Sequence, residues 1–217
     1  AHNEEDEYGN ELRDYDYGDV FAHVVGYSTK GKTGIESLAN FYLLTSHVNL
    51  IEQAVNELSG RKNLGDDVVT TLDINLQQTA YSALGDRRGA VIAMEPDTGK
   101  ILAMVSKPDY DPNTLLTDWA ALTDSANTQR QLLNRAAQGL YAPGSTFKII
   151  TMSAGLEAGV VSVNDRFFCP GYKLVDDRRI HCARRTGHGS QSFVEGAQNS
   201  CNPVFIEVGL RLGVENY

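Results

Sequence analysis

The sequence contains no run of apolar residues long enough to cross a membrane. A spanning helix needs about 18 or more such residues in succession, and none of the 217 residues lies in a run of that kind. Basic residues are also scarce, because 19 lysines and arginines stand against 28 aspartates and glutamates, for a net charge of −9. This balance argues against a nucleic-acid partner, which would favour a basic face. No secretory signal opens the chain, and this leaves the compartment open because mature secreted proteins also lack one.

Cysteine occurs only at Cys169, Cys182 and Cys201. The odd number leaves at least one thiol free if all pairing is internal. A Cys169–Cys182 disulfide and two reduced, half-buried thiols fit the sequence equally well. His181 and His188 lie close to Cys182 in the chain, which raises the possibility of zinc. The spacing fits no standard zinc finger, so the sequence predicts no metal.

The first third of the chain differs in texture from the rest. Residues 1–19 are acidic and tyrosine-rich, and they are predicted to form a mobile arm outside any core. Residues 20–27 are typical of a short strand, whereas residues 35–58 are typical of helices. We place a domain boundary in the Gly-Asp-Asp segment that follows, which divides the chain into residues 1–66 and 67–217.

The second segment begins with a mixture of strand and helix signals. Val68 to Thr71 is β-branched and predicts a strand. Asp73 is a suitable N-cap for a helix that runs to about Leu84. Two strands joined by Asp97-Thr98-Gly99 then form the clearest hairpin of the chain, and the paired ranges are 89–95 and 100–106.

The remainder is predicted to be mostly loop and helix. The expected features are an irregular stretch at 107–127, a helix at 145–158, a loop-rich connection at 160–192, and helices at 193–199 and from 203 onward. Beyond residue 85, therefore, only two convincing strands are expected. A two-stranded hairpin is marginally stable alone, which suggests that the chain is part of a longer protein or receives partner strands from elsewhere.

The stretch Pro143-Gly144-Ser145-Thr146-Phe147-Lys148 places a serine three residues before a lysine at the start of an apolar helix. Positions i and i+3 of a helix lie on one face, about 5–6 Å apart at Cβ. If the lysine is neutral, the pair is a nucleophile with its own base. Alternatively, Ser145 caps the helix and Lys148 is a surface residue. The same pattern recurs at Ser59 and Lys62, where Gly60 indicates a solvated turn.

Downstream, Ser200-Cys201-Asn202 lies between two helical patterns. A second serine near the first is suited to relay a proton, and an asparagine is suited to hold a lysine or a substrate amide. The structural alternative is equally clear, because Asn202 followed by Pro203 has the residue types of an N-cap and the first helical position.

A competing motif lies at Gly26 to Thr33, which matches the phosphate-binding loop pattern between a predicted strand and a helical pattern. This motif would make the protein a nucleotide binder. Two observations argue against this reading. The bulky Tyr27 lies beside the first glycine of the loop. In addition, no later hydrophobic strand ends in a convincing aspartate of the Walker-B type, which a nucleotide-binding site of this kind also needs.

Taken together, Ala142 to Lys148 and Asn199 to Asn202 resemble the motifs of penicillin-binding proteins and serine β-lactamases. Other stretches, among them Phe21 to Tyr27, Gly89 to Met104 and Asn134 to Ala136, are similar to class B, high-molecular-mass penicillin-binding proteins. The resemblance covers about residues 20–217.

This resemblance implies an α+β transpeptidase fold, in which an antiparallel sheet is flanked by helices, incomplete in this chain. Residues 1–66 would be the acidic arm and the end of a non-catalytic pedestal or dimerisation region, and residues 67–217 the first part of the transpeptidase domain. The family's third motif, Lys-Thr/Ser-Gly on a strand after the Ser-x-Asn element, is missing, so the chain alone is expected to be inactive. The family also implies a single-pass membrane anchor outside this chain and an extracellular catalytic domain.

The resemblance further implies a role for each site residue. Ser145 would attack the D-Ala-D-Ala peptide bond of a peptidoglycan stem peptide, with Lys148 as the base and Ser200 as the proton relay. Asn202 and Thr146 would bind substrate. β-Lactams would acylate Ser145, other membrane-anchored cell-wall synthesis proteins would be partners, and no metal or organic cofactor is expected. A β-lactamase or a β-lactam sensor remains the alternative with the same first motif.

Overall fold

The computed structural model describes residues 1–5, 7, 8, 10–60 and 62–217. The chain divides into two compact units, Ala1–Leu140 and Tyr141–Tyr217. The boundary predicted between residues 66 and 67 separates two domains of a longer protein, which this division of the chain does not test. It stays a prediction. Among the described residues, every helix is too short or too polar to pass through a bilayer.

The first unit combines short helices with two antiparallel strand pairs. Strands β1 and β2 pair with each other, as do β3 and β4. Its elements are β1 (His2–Glu5), β2 (Glu11–Asp14), α1 (Ala22–Val25), α2 (Gly34–Leu38), α3 (Asn40–Leu44), α4 (Leu50–Leu58), α5 (Ile74–Leu84), β3 (Gly89–Met94), β4 (Ile101–Lys107), α6 (Leu115–Thr123) and α7 (Arg135–Gln138).

Helix α5 packs on the β3–β4 hairpin. Ala80 of the helix meets Ala103 and Val105 of β4 in one buried cluster. The helix begins where the sequence predicts, because the Asp73 side chain accepts a hydrogen bond from the Leu76 N–H at 2.8 Å and so satisfies one free donor of the first turn. The predicted cap, helix and hairpin are confirmed.

A buried glutamine holds this layer to the start of the chain. The Gln77 side chain has no exposed surface. Its amide donates to the carbonyls of Val20 and Met104 at 2.7 and 2.9 Å, and its oxygen accepts from the Met104 N–H at 2.8 Å. One side chain therefore satisfies three backbone groups, so it fixes the distance between α5, β4 and residue 20.

Two predictions for the first twenty-seven residues are wrong. The expected arm contains the β1–β2 pair, and Tyr15 after it is buried. The expected strand at 20–27 is instead the end of a 3₁₀ turn at Gly18–Phe21 followed by α1. The Tyr110 hydroxyl donates to the Ala22 carbonyl at 3.0 Å, and burial against such neighbours overrides the β propensity of a short segment.

The nucleotide-binding motif at residues 26–33 requires a strand before its first glycine, and the structure has none there. Gly26 follows a helix, not a strand. A Cβ at Gly26 would lie 2.0 Å from the Thr33 carbonyl oxygen, which shows that the two ends of the loop touch. The pattern at residues 26–33 therefore lacks the strand context of a nucleotide-binding loop. Two further predictions are also wrong, because residues 68–71 form no strand and the stretch at 107–127 contains α6.

The second unit has three helices and two antiparallel strand pairs. A 3₁₀ turn at Gly144–Phe147 leads into the first helix. The elements are α8 (Lys148–Glu157), β5 (Arg166–Cys169), β6 (Tyr172–Val175), β7 (Arg178–His181), β8 (Gly189–Ser192), α9 (Phe193–Gln198) and α10 (Asn202–Leu212). Strand β5 pairs with β8, and β6 pairs with β7. The loop predicted at 160–192 is thus four short strands.

The core of this unit lies between α10 and its neighbours. Phe193, Val204, Phe205 and Val208 belong to one buried cluster that also includes the three cysteines. Gly155 of α8 allows a close helix contact, since a Cβ there would lie 2.8 Å from a methyl group of Val208. The predicted helices after residue 145 are confirmed, and the mixture of helices with antiparallel strands matches the predicted α+β class.

Replacing Gln77 by leucine tests the role of this side chain in the first unit. The Gln77→Leu variant leaves buried backbone groups without partners, each at a cost of about 1–3 kcal/mol. We expect a loss of roughly 2–4 kcal/mol in unfolding free energy, measured by denaturant unfolding. The matched control is Gln78→Leu, because Gln78 is exposed on the same helix. Equal stability of the two variants would contradict this assignment.

Candidate active site

Ser145 lies at the entrance of α8 on a tight turn. Pro143 precedes the 3₁₀ turn, and Gly144 has a φ of +54°, a conformation that glycine adopts without steric cost. The Thr146 hydroxyl donates to the Pro143 carbonyl at 2.5 Å and closes the turn. The Ser145 side chain is exposed, and within the described residues its hydroxyl makes no hydrogen bond. The local sequence therefore presents Ser145 to solvent.

Lys148, the first residue of α8, points toward the second motif. Its amine donates to the Ser200 carbonyl at 2.6 Å, to the Ser200 Oγ at 3.0 Å and to the Asn202 Oδ1 at 2.6 Å. The side chain is half-buried. Burial lowers the pKa of Lys148, although the nearby thiols of Cys182 and Cys201 act in the opposite direction. The surface-lysine alternative is therefore wrong.

Ser200 occupies a strained position between α9 and α10. Its φ is +47°, in the left-handed region that non-glycine residues seldom adopt. Such strain costs about 1–3 kcal/mol and persists only where the surroundings hold it. The conformation turns both the carbonyl and the hydroxyl of Ser200 toward one amine.

Asn202 is the first residue of α10, and the N-cap is Cys201. The alternative in which Asn202 serves as the cap is therefore wrong. Its side-chain amide donates to the His181 carbonyl at 2.8 Å while its oxygen accepts from Lys148. Asn202 thus connects α8 to the end of β7.

The structure brings three of the five predicted site residues into one hydrogen-bonded group: Lys148, Ser200 and Asn202. Ser145 is three residues from Lys148 but is not bonded to it within the described chain, and the Thr146 hydroxyl is engaged by the turn. Catalytic hydrogen bonds are often long without substrate and tighten in the complex. The second Ser-x-x-Lys pattern forms no pair, because Ser59 donates to Val55 and Lys62 to Glu11; Arg61 between them lies outside the described residues.

Beside this group lies a cluster that the spacing argument missed. One ligand atom each from Cys169, Cys182, His188 and Cys201 lies within 4.8 Å of the others. All three cysteines are buried free thiols, which fits the reduced alternative and not a Cys169–Cys182 disulfide. One signal in the sequence could have drawn attention to Cys201: it lies between Ser200 and Asn202, two of the predicted site residues. Cys201 lies at the start of α10, apart from the other three residues in the chain, so the local spacing of cysteines and histidines did not include it.

The thiols differ in their surroundings. Burial raises the pKa of Cys169, but hydrogen bonds from the backbone of His188 and Gly171 and from the His188 ring bring it down to about 7. Burial raises the pKa of Cys201 to about 12. The cluster therefore combines hydrogen-bond donors that favour a thiolate with a site that excludes water.

The chain matches known proteins over most of its length. Residues 89–217 match the family model of the penicillin binding protein transpeptidase domain. The peptidoglycan D,D-transpeptidase PbpA of Mycolicibacterium smegmatis is 38% identical over 94% of this chain and 45% of its own length.

Solved structures give the same result. The D,D-transpeptidase domain of a peptidoglycan glycosyltransferase from Eggerthella lenta superposes with a TM-score of 0.83 at 33% identity, over 99% of this chain and 48% of that chain. Penicillin-binding protein A of M. tuberculosis, solved as an imipenem acyl-enzyme complex, has a TM-score of 0.87 at 29% identity, over 99% and 54% of the two chains. The chain spans between about a third and a half of the length of the curated relatives it matches.

A double-mutant cycle tests the link between Lys148 and Asn202. A hydrogen bond to a charged group is worth about 1.5–3 kcal/mol, so the Lys148→Met and Asn202→Ala variants are expected to show a coupling energy of that size in unfolding free energy. As the control, Lys148→Met is combined with Asn164→Ala, an exposed residue of the loop before β5. That pair should be additive within about 0.5 kcal/mol. Additivity of the first pair would contradict the contact.

Proposed function

Because the chain belongs to the transpeptidase family of penicillin-binding proteins, as a class B member, we propose that its protein is a serine D,D-transpeptidase. It cross-links peptidoglycan stem peptides through an acyl-enzyme on Ser145. The observation that carries this proposal is the Lys148 amine, which lies three residues after an exposed serine and donates to both Ser200 and Asn202.

In the first step, the Ser145 hydroxyl attacks the carbonyl of the terminal D-Ala-D-Ala bond and Lys148 accepts its proton. A lysine acts as a base only in its neutral form, and an unperturbed lysine has a pKa of about 10.4. Burial lowers the pKa of Lys148, which increases the neutral fraction at physiological pH. The N–H groups at the start of α8 favour the negative charge that develops on the carbonyl oxygen.

In the second step, the proton travels to the departing D-alanine. The Ser200 Oγ lies 3.0 Å from the Lys148 amine, within the distance required for proton transfer. Asn202 holds the lysine from the other side and is also available to orient the substrate amide. Thr146, next to the nucleophile, contributes to substrate binding. An amine of a neighbouring stem peptide then resolves the acyl-enzyme and forms the cross-link.

The setting of the reaction follows from the family. Residues 67–217 form the first part of the transpeptidase domain, and residues 1–66, whose acidic start folds as the β1–β2 pair, form the end of a pedestal. The domain faces the outside of the cell and is anchored by a segment outside this chain, beside other proteins of cell-wall synthesis. β-Lactams acylate Ser145; the acyl-enzyme complexes of penicillin-binding protein A from M. tuberculosis with β-lactams support this part of the proposal.

Labelling with a fluorescent penicillin tests the nucleophile in the full-length protein. We expect stoichiometric labelling that is lost in Ser145→Ala. The matched control is Ser153→Ala, an exposed serine in the second turn of α8, which should label like the wild type. Labelling of Ser145→Ala would refute the assignment. Sustained hydrolysis of a chromogenic β-lactam would instead identify a β-lactamase.

Replacing Lys148 by arginine tests the base. Arginine keeps the positive charge and the donors but is not deprotonated in proteins, so the acylation rate should fall by about 10²–10⁴ while the protein stays folded. Lys173→Arg is the control, because Lys173 lies on β6 and pairs with Glu207. Wild-type acylation kinetics in Lys148→Arg would exclude lysine as the base.

A further inference from the structure

We propose that an arginine-rich face of the β6–β7 hairpin binds the free carboxylates of a peptidoglycan strand, next to the stem peptide that reacts. This basic face consists of Tyr172, Arg179, His181, Arg184 and Arg185. The inference deepens the proposed function and rests on it for the identity of the polymer. Its readout is binding of the polymer, which is measured without any turnover.

The charge of this region is opposite to that of the chain. Residues 166–188 contain six lysines and arginines and only two aspartates, whereas the whole chain has a net charge of −9. Among the residues that the structure describes, Lys173 is the only one of the six that forms an ion pair, with Glu207. A dense group of cations without carboxylate partners on an acidic protein favours an anionic ligand.

The register of the hairpin places the members of the basic face side by side. Tyr172 pairs with His181 and Leu174 with Arg179, and alternate residues of a strand lie on the same side of a sheet. The Arg179 guanidinium lies 4.4 Å from the centre of the Tyr172 ring, and the His181 ring lies 6.3 Å from it. Stacking orders the guanidinium while its N–H groups stay available at the edge for a carboxylate.

The opposite side of the hairpin is already occupied. Lys173 lies on that side, and its amine pairs with Glu207 of α10. The basic face therefore points away from α10. Arg179 and His181 are both exposed to solvent, so an extended polymer can reach them.

The turn after β7 adds two more arginines. Arg184 and Arg185 are exposed, and the Arg184 carbonyl accepts from the Gly187 N–H at 2.9 Å. The turn lies against the chain before β6, because a Cβ at Gly171 would lie 2.1 Å from the Arg185 carbonyl oxygen. Since Gly171 adjoins Tyr172, the turn brings both arginines to the same end of the hairpin.

This end of the hairpin adjoins the candidate active site. The Asn202 side chain donates to the His181 carbonyl at 2.8 Å and accepts from the Lys148 amine at 2.6 Å. Two hydrogen bonds therefore separate the basic face from the proposed base, and all of these residues belong to one compact unit. A polymer whose peptide reacts at Ser145 extends beyond that peptide, and the basic face is the charged surface beside it.

The polymer of the proposed reaction has the complementary charge. A stem peptide that ends in D-Ala-D-Ala carries a terminal carboxylate, and each unlinked stem peptide along the strand carries another. Arginine binds a carboxylate through two parallel hydrogen bonds. One exposed pair changes affinity only about 1.4- to 5-fold, but pairs on one polymer reinforce each other because later contacts are intramolecular.

Cosedimentation of the full-length protein with insoluble peptidoglycan, freed of phosphate-containing polymers, tests the ligand. We expect binding that weakens at least about 10-fold between about 0.1 M and about 1 M salt, because salt screens exposed charges. Amidation of the peptidoglycan carboxylates should abolish the salt-sensitive binding. This arm changes the ligand and leaves the protein intact, so its result does not depend on the folding of a variant.

Two double variants test the basic face itself. Arg179→Gln with Arg185→Gln should weaken binding to peptidoglycan about 5- to 10-fold. The matched control is Arg87→Gln with Arg88→Gln, because these exposed arginines before β3 give the same change in charge. The control should bind like the wild type. An equal loss in both double variants would assign the effect to net charge and overturn the proposal.

Other results would also overturn the proposal. They are binding that survives amidation of the carboxylates, and binding to vesicles of anionic phospholipid without binding to peptidoglycan. Wild-type protein that is labelled by penicillin but does not bind peptidoglycan would refute the basic face and leave the proposed function standing. Carboxylate-dependent binding by wild-type protein that penicillin does not label would count against the proposed function alone.

Discussion

The second unit depends on the hydrogen bonds of one half-buried amine. Lys148 begins α8, and its three acceptors belong to Ser200 and Asn202, 52 and 54 residues later. The amine is half-buried and finds all three acceptors on this segment, so α8 and the start of α10 are tied to one another by electrostatics as well as by packing. Burial of the same group lowers its pKa, which links the stability of the fold to its chemistry.

The strained conformation of Ser200 and the burial of the adjacent Cys201 in the cysteine cluster depend on each other. A serine with left-handed backbone angles is unfavourable by itself. It persists here because its carbonyl and its hydroxyl both accept hydrogen bonds from Lys148 and because Cys201 is held in the core. Asn202 continues the chain of contacts to His181 and hence to Cys182. The Ser200–Asn202 segment is thus held at Ser200 by Lys148 and at Asn202 by His181, two residues that lie outside the Ser-x-Asn motif.

The outcome of the individual predictions follows from the range of the forces involved. The Asp73 cap, the β3–β4 hairpin and the helix after Ser145 depend on bonds within a few residues, and each was predictable. Residues 20–27 and the β5–β8 pair were not, because the first is buried against Tyr110 as a helix and the second joins strands across intervening chain. The β6–β7 hairpin is local, and the sequence analysis missed it inside the predicted loop. Short apolar segments adopt whichever form their neighbours bury.

By itself the sequence determined that Ser145 opens a helix with a lysine one turn later, since that spacing is a property of the helix repeat. It also placed a serine and an asparagine on either side of Cys201. Only the tertiary structure decided that Lys148 faces Ser200 and Asn202, and that Cys201 meets Cys169, Cys182 and His188. The physical reason is that contacts between distant residues are selected by the packing of whole elements, which no local pattern specifies.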